Sequence, residues 1–164
     1  MKIHGTVTYT EMQSPLGRMT LAATARGLTG VWFEYQRHSP EMEGWQRDDT
    51  NPTLLAAKKQ LAEYFGGTRS DFELPLDLSH GTDFQQSVWH ALLNIPRGTT
   101  TSYGALSERC GHAAAVRAVG GAIGRNPLSI IVPCHRVVGR DGSLTGYAGG
   151  LERKISLLKL EGAL

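Results

Sequence analysis

The chain has 164 residues, 40% of them hydrophobic, and a formal net charge of +2 at pH 7. This length suits one domain or two small lobes with enough apolar residues to bury a core. No apolar stretch is long enough to cross a bilayer and the chain begins without a signal peptide, so we expect a cytoplasmic protein without a membrane anchor. Two cysteines argue against a disulfide framework, and six scattered histidines against a metal site. We therefore expect no metal and no cofactor.

The charge is unevenly distributed along the chain. Residues 1–80 carry a net charge of −2 and residues 81–164 a net charge of +4. No acidic residue lies between Cys110 and Arg140, an interval that contains Arg117, Arg125 and Arg136. Positive potential of this kind attracts phosphate and lowers the pKa of a nearby thiol. The second half is therefore the part that we expect to meet an anion such as nucleic acid.

The first half predicts a small sheet followed by one helix. Alternating and β-branched residues predict strands over residues 6–12, 19–23 and 28–33, with a turn at residues 14–17. A polar loop is expected over residues 36–51, from which Trp45 returns to the core. Helical spacing of apolar residues predicts a helix over residues 52–65. Residues 74–81 are expected to form a linker or a short extended segment. We find no residues here that indicate chemistry.

The second half predicts mostly helices, so we expect two domains, 1–78 and 79–164. Thr82 and Gln85 have the spacing of a capping box that opens a helix ending at Leu93. Two further helices are predicted over residues 101–110 and 113–124, and the pair is a helix-turn-helix candidate. The predicted fold class is α/β (α+β), with a small N-terminal sheet lobe and a mostly helical C-terminal lobe.

The helix predicted over residues 113–124 consists largely of alanine and glycine, with Arg117 as its long side chain. Each mid-helix glycine costs about 1 kcal/mol relative to alanine, so a constraint is expected to keep it. Two explanations stay open at this point. The glycines allow close helix packing, or they make a slim surface that fits the minor groove of DNA.

Pro133-Cys134-His135-Arg136 is the most informative motif of the chain. The apolar residues 128–132 before it predict a strand that stops at Pro133, because proline donates no backbone hydrogen bond. The thiol would then lie at the mouth of a strand. An adjacent imidazole is a common means of forming the nucleophilic thiolate. The alternative is a structural pair, a buried thiol beside a hydrogen-bonded imidazole.

These motifs together resemble one family, the O6-alkylguanine-DNA alkyltransferases. The similarity covers the C-terminal half almost without gaps and the N-terminal half in outline. Besides Pro-Cys-His-Arg-Val-Val-Gly, it extends over Ser-Tyr-Gly, Arg-Ala-Val-Gly-Gly, Asn-Pro, Gly-Tyr-Ala-Gly-Gly and Leu-Glu-Gly, at residues 102–104, 117–121, 126–127, 146–150 and 160–162.

The resemblance implies direct DNA repair. The expected substrate is double-stranded DNA carrying O6-alkylguanine, and also O4-alkylthymine, bound from the minor groove. The damaged base leaves the stack, and its alkyl carbon moves to a cysteine of the protein. The product is a thioether, so each molecule acts once. We expect a stand-alone, bacterial-type protein that acts as a monomer; cooperative binding along DNA stays open.

The resemblance also assigns catalytic roles. Cys134 is the expected alkyl acceptor, His135 the base that deprotonates it through a water, and Glu161 the carboxylate that orients the imidazole. Tyr103 offers its hydroxyl to the departing guanine and crowds the phosphate of the flipped nucleotide. Asn126 braces the turn between the DNA-binding helix and the active-site strand. Arg136 is expected to hold structure through hydrogen bonds.

The expected guanine pocket is lined by Val137, Tyr147, Ala148 and Lys154. The main-chain N–H of Ala148 would face O6, and the carbonyls of Cys134 and Val137 would face the exocyclic amine. The residues expected to contact DNA are Tyr103, Arg117, Ala118, Gly120 and Arg125. Arg117 would enter the stack in place of the flipped base. Val116 and Arg125 are larger than the family pattern predicts.

Three other functions fit parts of this pattern. A non-enzymatic sensor of alkylated DNA would share the fold, but such relatives carry tryptophan at the position of Cys134. A helix-turn-helix regulator with a sensing cysteine would need polar side chains on its recognition helix, and residues 113–124 offer only Arg117. A thiol hydrolase with a Cys-His-Glu triad would turn over esters or amides without DNA.

Overall fold

The computed structural model describes residues 2–164, and two compact units divide between His80 and Gly81. The first unit contains a four-stranded sheet and one helix. The strands are β1 (Thr8–Ser14), β2 (Gly17–Thr24), β3 (Gly27–Phe33) and β4 (Gln46–Arg47), in the order β3-β2-β1-β4. β1, β2 and β3 are antiparallel neighbours, and β4 runs parallel to β1. The three strands predicted from the sequence are confirmed.

The fourth strand lies in a segment that the sequence predicted to be a loop. Gln46 N–H donates to the Val7 carbonyl at 3.1 Å, and so extends the sheet beyond β1. Two residues are too short a run to show alternation, so the sequence carries no signal for this strand. The return of Trp45 to the core is confirmed, because its ring lies 5.7 Å from that of Trp32.

Helix α1 (Pro52–Phe65) has the predicted bounds. The Asn51 side chain accepts a hydrogen bond from Leu54 N–H, and proline occupies the first helical position, where no backbone donor is needed. The helix buries one face, which consists of Leu54, Ala57, Leu61 and Tyr64. Amphipathic spacing therefore determined both the existence and the orientation of this helix.

The last segment of the first unit is extended rather than a free linker. Leu76 forms a parallel bridge with Leu28, and Asp77 is buried beside it. Burial alone would raise the pKa of Asp77, but hydrogen bonds from Ser79 and Thr24 prevail and lower it to about 2. Residues 74–80 are thus tied to the edge of the sheet through both the backbone and this carboxylate.

The second unit contains helices α2 (Asp83–Leu92), α3 (Tyr103–Arg109), α4 (Val116–Gly124) and α5 (Leu151–Leu160), with a short parallel pair of strands, β5 (Thr101–Ser102) and β6 (Val137–Val138). The predicted capping box is confirmed, because Thr82 and Gln85 exchange side-chain to backbone hydrogen bonds. Buried Trp89 donates to the Ala122 carbonyl at 2.8 Å and joins α2 to α4. With one sheet lobe and one mostly helical lobe, the predicted fold class is confirmed.

Three sequence predictions fail in this unit. Residues 101–102 form a strand rather than the start of a helix, and Ser102 caps α3 by accepting from Ala105 N–H. Helix α4 begins at Val116 rather than at residue 113, because the chain reverses at Gly111 (φ 78°) and residues 113–115 form a turn. Alanine favours a helix but does not determine where the chain can enter one.

The third failure concerns the apolar residues 128–132, which form a buried turn and not a strand. Val132 N–H donates to the Leu128 carbonyl, and Ile130 lies in the left-handed region with φ of 73°. A short apolar run is compatible with any fully buried conformation, so periodicity cannot identify a strand here. The thiol therefore follows a turn and precedes β6.

Within residues 2–164, no helix combines the length and the apolar character that crossing a membrane requires.

Candidate active site

Cys134 begins a short 3₁₀ turn (Cys134–Arg136) that leads into β6. The residue is only 6% exposed, and Asn126 Nδ2 donates to its Sγ at 3.1 Å. Burial raises the pKa of the Cys134 thiol to about 11, although the Asn126 hydrogen bond and the charge of Lys154 act in the opposite direction. The sulfur is thus held as a thiol in a buried site that already contains groups able to stabilise the anion.

The sequence expectation that arginines lower the pKa of this thiol is wrong for the protein without DNA. Arg117 and Arg125 are exposed on and after α4, while Arg136 is buried and engaged elsewhere. The cation that acts on the sulfur is Lys154 instead. Closeness to Cys134 in the sequence does not identify the cation that acts on the thiol, because the fold decides which charges come near it.

Asn126 connects the thiol to the turn before it. Its Nδ2 donates to the Val132 carbonyl at 2.7 Å, and its Oδ1 accepts from Leu128 N–H at 2.9 Å. One buried amide therefore holds both ends of the turn over residues 128–132 and also reaches the sulfur. Because an amide both donates and accepts, asparagine can satisfy these partners where a carboxylate cannot.

His135, Glu161 and Arg136 form a buried chain of hydrogen bonds. The His135 Nε2 lies 2.8 Å from Glu161 Oε2, and the Arg136 Nε and Nη2 donate to the two carboxylate oxygens at 2.8 and 3.0 Å. A third donor, Arg136 Nη1, reaches the Ile95 carbonyl at 2.6 Å. The structural role predicted for Arg136 agrees with these contacts.

This arrangement determines which nitrogen of His135 carries the hydrogen. A carboxylate only accepts hydrogen bonds, so the imidazole donates from Nε2 and presents a lone pair at Nδ1. Nδ1 is buried and has no hydrogen-bond partner among residues 2–164. Burial lowers the pKa of His135 below its usual 6.5, while the hydrogen bond and charge of Glu161 raise it less. The ring is therefore a neutral base at neutral pH.

Lys154, on α5, anchors the loop that follows β6. Its side chain is buried to 1% exposure, and Nζ donates to the carbonyls of Val137 at 2.7 Å and Thr145 at 3.1 Å. Two of the four residues predicted to line a pocket, Val137 and Lys154, thus contact each other directly. The other two, Tyr147 and Ala148, lie half-buried in the anchored loop.

The helices α3 and α4 form the predicted helix-turn-helix, with a smooth outer surface. Arg117, Ala118 and Arg125 are exposed, and Val116 is 38% exposed. A Cβ added at Gly121 or Gly124 would meet nothing within 4 Å. Close helix packing therefore does not explain these two glycines. At Gly120 an added Cβ would lie 3.8 Å from the Tyr103 ring, which is an ordinary van der Waals contact.

Thr145 also belongs to this region, although no motif of the sequence indicates it. The Thr145 hydroxyl donates to the Tyr103 hydroxyl at 3.0 Å, although 42 residues separate the two in the chain. No spacing rule connects a loop threonine to a residue at the start of a distant helix. Only the tertiary structure brings this pair together.

Two family models match the chain. Residues 83–163 match the DNA-binding domain of 6-O-methylguanine DNA methyltransferase, and residues 7–78 match its ribonuclease-like domain. The chain therefore belongs to the 6-O-methylguanine DNA methyltransferase family. This assignment confirms the resemblance and the class of enzyme that it implied.

Individual relatives agree with the family models. The methylated-DNA–protein-cysteine methyltransferase of Mycobacterium leprae is 49% identical over 150 residues, which cover 92% of this chain and 89% of the relative. The corresponding Haemophilus influenzae protein is 42% identical and covers 93% of this chain and 85% of its own length. Among solved structures, Mycobacterium tuberculosis OGT in complex with DNA has a TM-score of 0.88 at 46% identity, covering 95% of this chain and 93% of that one.

Proposed function

We propose that this chain repairs DNA directly, by moving an alkyl group from O6 of guanine to the sulfur of Cys134. The observation that carries the proposal is the buried site itself. Asn126 donates to the sulfur, and the adjacent His135 is fixed by Glu161 with a lone pair at Nδ1. A Cys-His pair with a purely structural role would not need a neutral imidazole that is held in one orientation and whose Nδ1 has no hydrogen-bond partner among residues 2–164. The named activity of relatives up to 49% identical agrees with this chemistry.

The reaction is a displacement at saturated carbon. The Cys134 sulfur forms a bond to the alkyl carbon, the bond from that carbon to O6 breaks, and its electron pair passes into the guanine. The thiol proton goes to Nδ1 of His135 through a water, which gives an imidazolium beside the Glu161 carboxylate. The guanine anion takes up one proton from the solvent and the imidazolium later returns one to it, so the net products are a thioether and ordinary guanine. The thioether is not reversed by hydrolysis, so each molecule acts once.

The raised pKa of the thiol is compatible with this scheme. At neutral pH the sulfur keeps its proton until a base accepts it, so the free protein is protected from reaction with other alkylating agents. Proton transfer to His135 creates the thiolate where Asn126 and Lys154 can stabilise it.

The damaged base occupies a pocket beside the sulfur, because an O6-alkyl carbon in a stacked pair is out of reach. Val137, Tyr147, Ala148 and Lys154 line this pocket. The main-chain N–H of Ala148 faces O6, and the carbonyls of Cys134 and Val137 face the exocyclic amine. The Val137 carbonyl already accepts from Lys154, and its second lone pair serves the base. The same pocket accepts O4-alkylthymine.

Duplex DNA binds through its minor groove to the helix-turn-helix. Arg117 enters the stack in place of the flipped base, Ala118 and Gly120 form the slim surface, and Arg125 contacts phosphate. Tyr103 crowds the phosphate of the flipped nucleotide and donates its hydroxyl hydrogen to the departing guanine. The protein acts as a monomer. The open space around Gly121 and Gly124 and the DNA complex of the Mycobacterium tuberculosis relative support this mode of binding.

The test is intact-protein mass spectrometry after mixing with a duplex that contains one O6-methylguanine. We expect a gain of one methyl mass that stops at one equivalent and maps to Cys134. Cys134→Ser should show no gain, and Cys110→Ser, which removes the other cysteine, should react like the natural chain. Tight binding of the damaged duplex without any adduct would contradict the proposal and favour a sensor of alkylated DNA. Methylation of Cys110 would contradict the assignment of the acceptor.

A further inference from the structure

Thr145 touches the machinery of the site at two points. Its hydroxyl donates to the Tyr103 hydroxyl at 3.0 Å, and its main-chain carbonyl accepts from Lys154 Nζ at 3.1 Å. The first contact is with the residue that begins α3, and the second is with a buried side chain of α5. Thr145 therefore lies between the tyrosine assigned to the leaving group and the lysine beside the thiol.

The position of Thr145 does not depend on its hydroxyl. The preceding residues form a turn of their own, in which Gly139 N–H donates to the Ser143 carbonyl at 2.8 Å and Ser143 N–H to Asp141 Oδ1 at 3.0 Å. Lys154 then holds the main chain at Thr145 itself. Because the backbone is anchored in this way, loss of the Thr145 hydroxyl removes the hydrogen bond to Tyr103 and leaves the course of the loop unchanged.

We propose that Thr145 is a positioning residue that makes Tyr103 a hydrogen-bond donor to the departing guanine. A phenolic oxygen that accepts a hydrogen bond from Thr145 keeps its own hydrogen for another acceptor. Accepting that bond also polarises the tyrosine O–H and strengthens the bond that it donates. The inference rests on the function proposed above, because it concerns the negative charge that develops on guanine as the bond to the alkyl carbon breaks.

The hydrogen bond from Tyr103 to guanine matters most in the transition state of alkyl transfer. Without the threonine hydroxyl, the Tyr103 O–H can rotate, and the fraction of molecules that present a hydrogen to the base falls. Binding of the duplex should change little, since this charge is absent from the bound ground state. Loss of the Thr145 hydroxyl should therefore lower the rate of alkyl transfer and leave the affinity for DNA unchanged.

The experiment compares single-turnover transfer rates on a duplex with one O6-methylguanine. Thr145→Val keeps the shape of the side chain and removes the hydroxyl, while Thr145→Ser keeps the hydroxyl. We expect Thr145→Val to slow transfer by about five-fold, the factor of one ordinary hydrogen bond. Thr145→Ser should stay within about two-fold of the natural chain, because the rest of the contact is preserved. Binding of the duplex and the melting temperature should be unchanged in both variants.

A double-mutant cycle with Tyr103→Phe separates this role from a general effect on the loop. If Thr145 acts through Tyr103, then Thr145→Val has no further effect once the tyrosine hydroxyl is absent. An equal loss in both backgrounds, or a rate for Thr145→Val equal to or above that of the natural chain, would overturn the inference. So would a Tyr103→Phe variant with the full natural rate. Failure of the natural chain to methylate Cys134 would instead overturn the proposed function.

Discussion

Arg136 and Glu161 form a two-point ion pair inside the second unit, with Nε and Nη2 of the guanidinium 2.8 and 3.0 Å from the two carboxylate oxygens. The same carboxylate accepts from His135. The base of the proposed reaction is therefore oriented by a group that is itself held by a buried cation. Removing the charge of Glu161 affects His135 and Arg136 at once. The role of Glu161 can therefore be tested both by the stability of the fold and by the rate of alkyl transfer.

Glu161→Gln should destabilise the fold by about 3 kcal/mol, because it leaves the buried Arg136 guanidinium without its counter-charge. For a chain of this size the expected fall in melting temperature is roughly 6 to 12 °C. Thermal unfolding measures it directly. Glu152→Gln is the matched control, since Glu152 is exposed on α5, the helix that ends just before Glu161, and its change should stay within about 0.5 kcal/mol. Equal melting temperatures for the two variants would contradict the role given to this ion pair.

Asn126→Asp should slow alkyl transfer by on the order of 100-fold, the size of effect seen when one donor to a developing anion is lost. The substitution keeps the shape of the side chain but replaces the donor to Cys134 Sγ and Val132 O by an acceptor. Single-turnover rates on the methylated duplex measure the effect. Asn94→Asp adds the same charge at an exposed position of the same unit and should leave the rate unchanged. A normal rate for Asn126→Asp would exclude the proposed stabilisation of the thiolate.

Arg117→Ala should slow transfer from duplex DNA by roughly ten-fold or more, because the arginine no longer fills the space of the extruded base. Transfer from the free base O6-methylguanine, which has no stack to leave, should keep its natural rate. Comparing the two substrates therefore separates base flipping from chemistry. Arg26→Ala removes an equal charge from an exposed position of the first unit and should affect neither substrate. Equal losses on both substrates would assign Arg117 to the reaction site instead.

The rate of transfer should stay level from pH 8 down to pH 6.5 and fall only at lower pH. His135 acts as a base only when neutral, and burial holds its pKa below 6.5. Glu161 raises that pKa, so the Glu161→Gln variant should show its acid limb at still lower pH, together with a lower maximal rate. Single-turnover rates across pH 5 to 8 provide the profile. An acid limb above pH 6.5 would contradict the assignment of a buried, neutral His135 as the base.

Asp77 predicts a pH dependence of stability in the first unit. Its pKa is about 2 in the folded chain against an ordinary 3.8, so its contribution is complete above about pH 4 and is lost as the pH falls through 2. The contribution is about 1 to 2 kcal/mol. The difference in free energy of unfolding between the natural chain and Asp77→Asn should shrink by this amount between pH 5 and pH 2. A difference that is independent of pH would show that the carboxylate charge is not what stabilises residues 74–80.

Much of the architecture was predictable because it depends on local pattern. The helix over residues 52–65 shows four buried positions at helical spacing, with a proline at its start, so its bounds were predicted correctly. The capping box at Thr82 was equally local. The turn over residues 128–132 was not predictable, because an apolar run without periodicity fits a buried strand and a buried turn alike. Side-chain contacts from Asn126 decided between the two.

The sequence by itself determined the family and the candidate residues of the site, because both depend on short motifs around Cys134 and Glu161 that are readable without coordinates. It did not determine which groups act on one another. The charge of Lys154 rather than of an arginine acts on the thiol, Arg136 binds Glu161, and Thr145 contacts Tyr103 across 42 residues of chain. Hydrogen bonds and buried charges act over a few ångströms, and only the tertiary structure decides which distant residues come within that range.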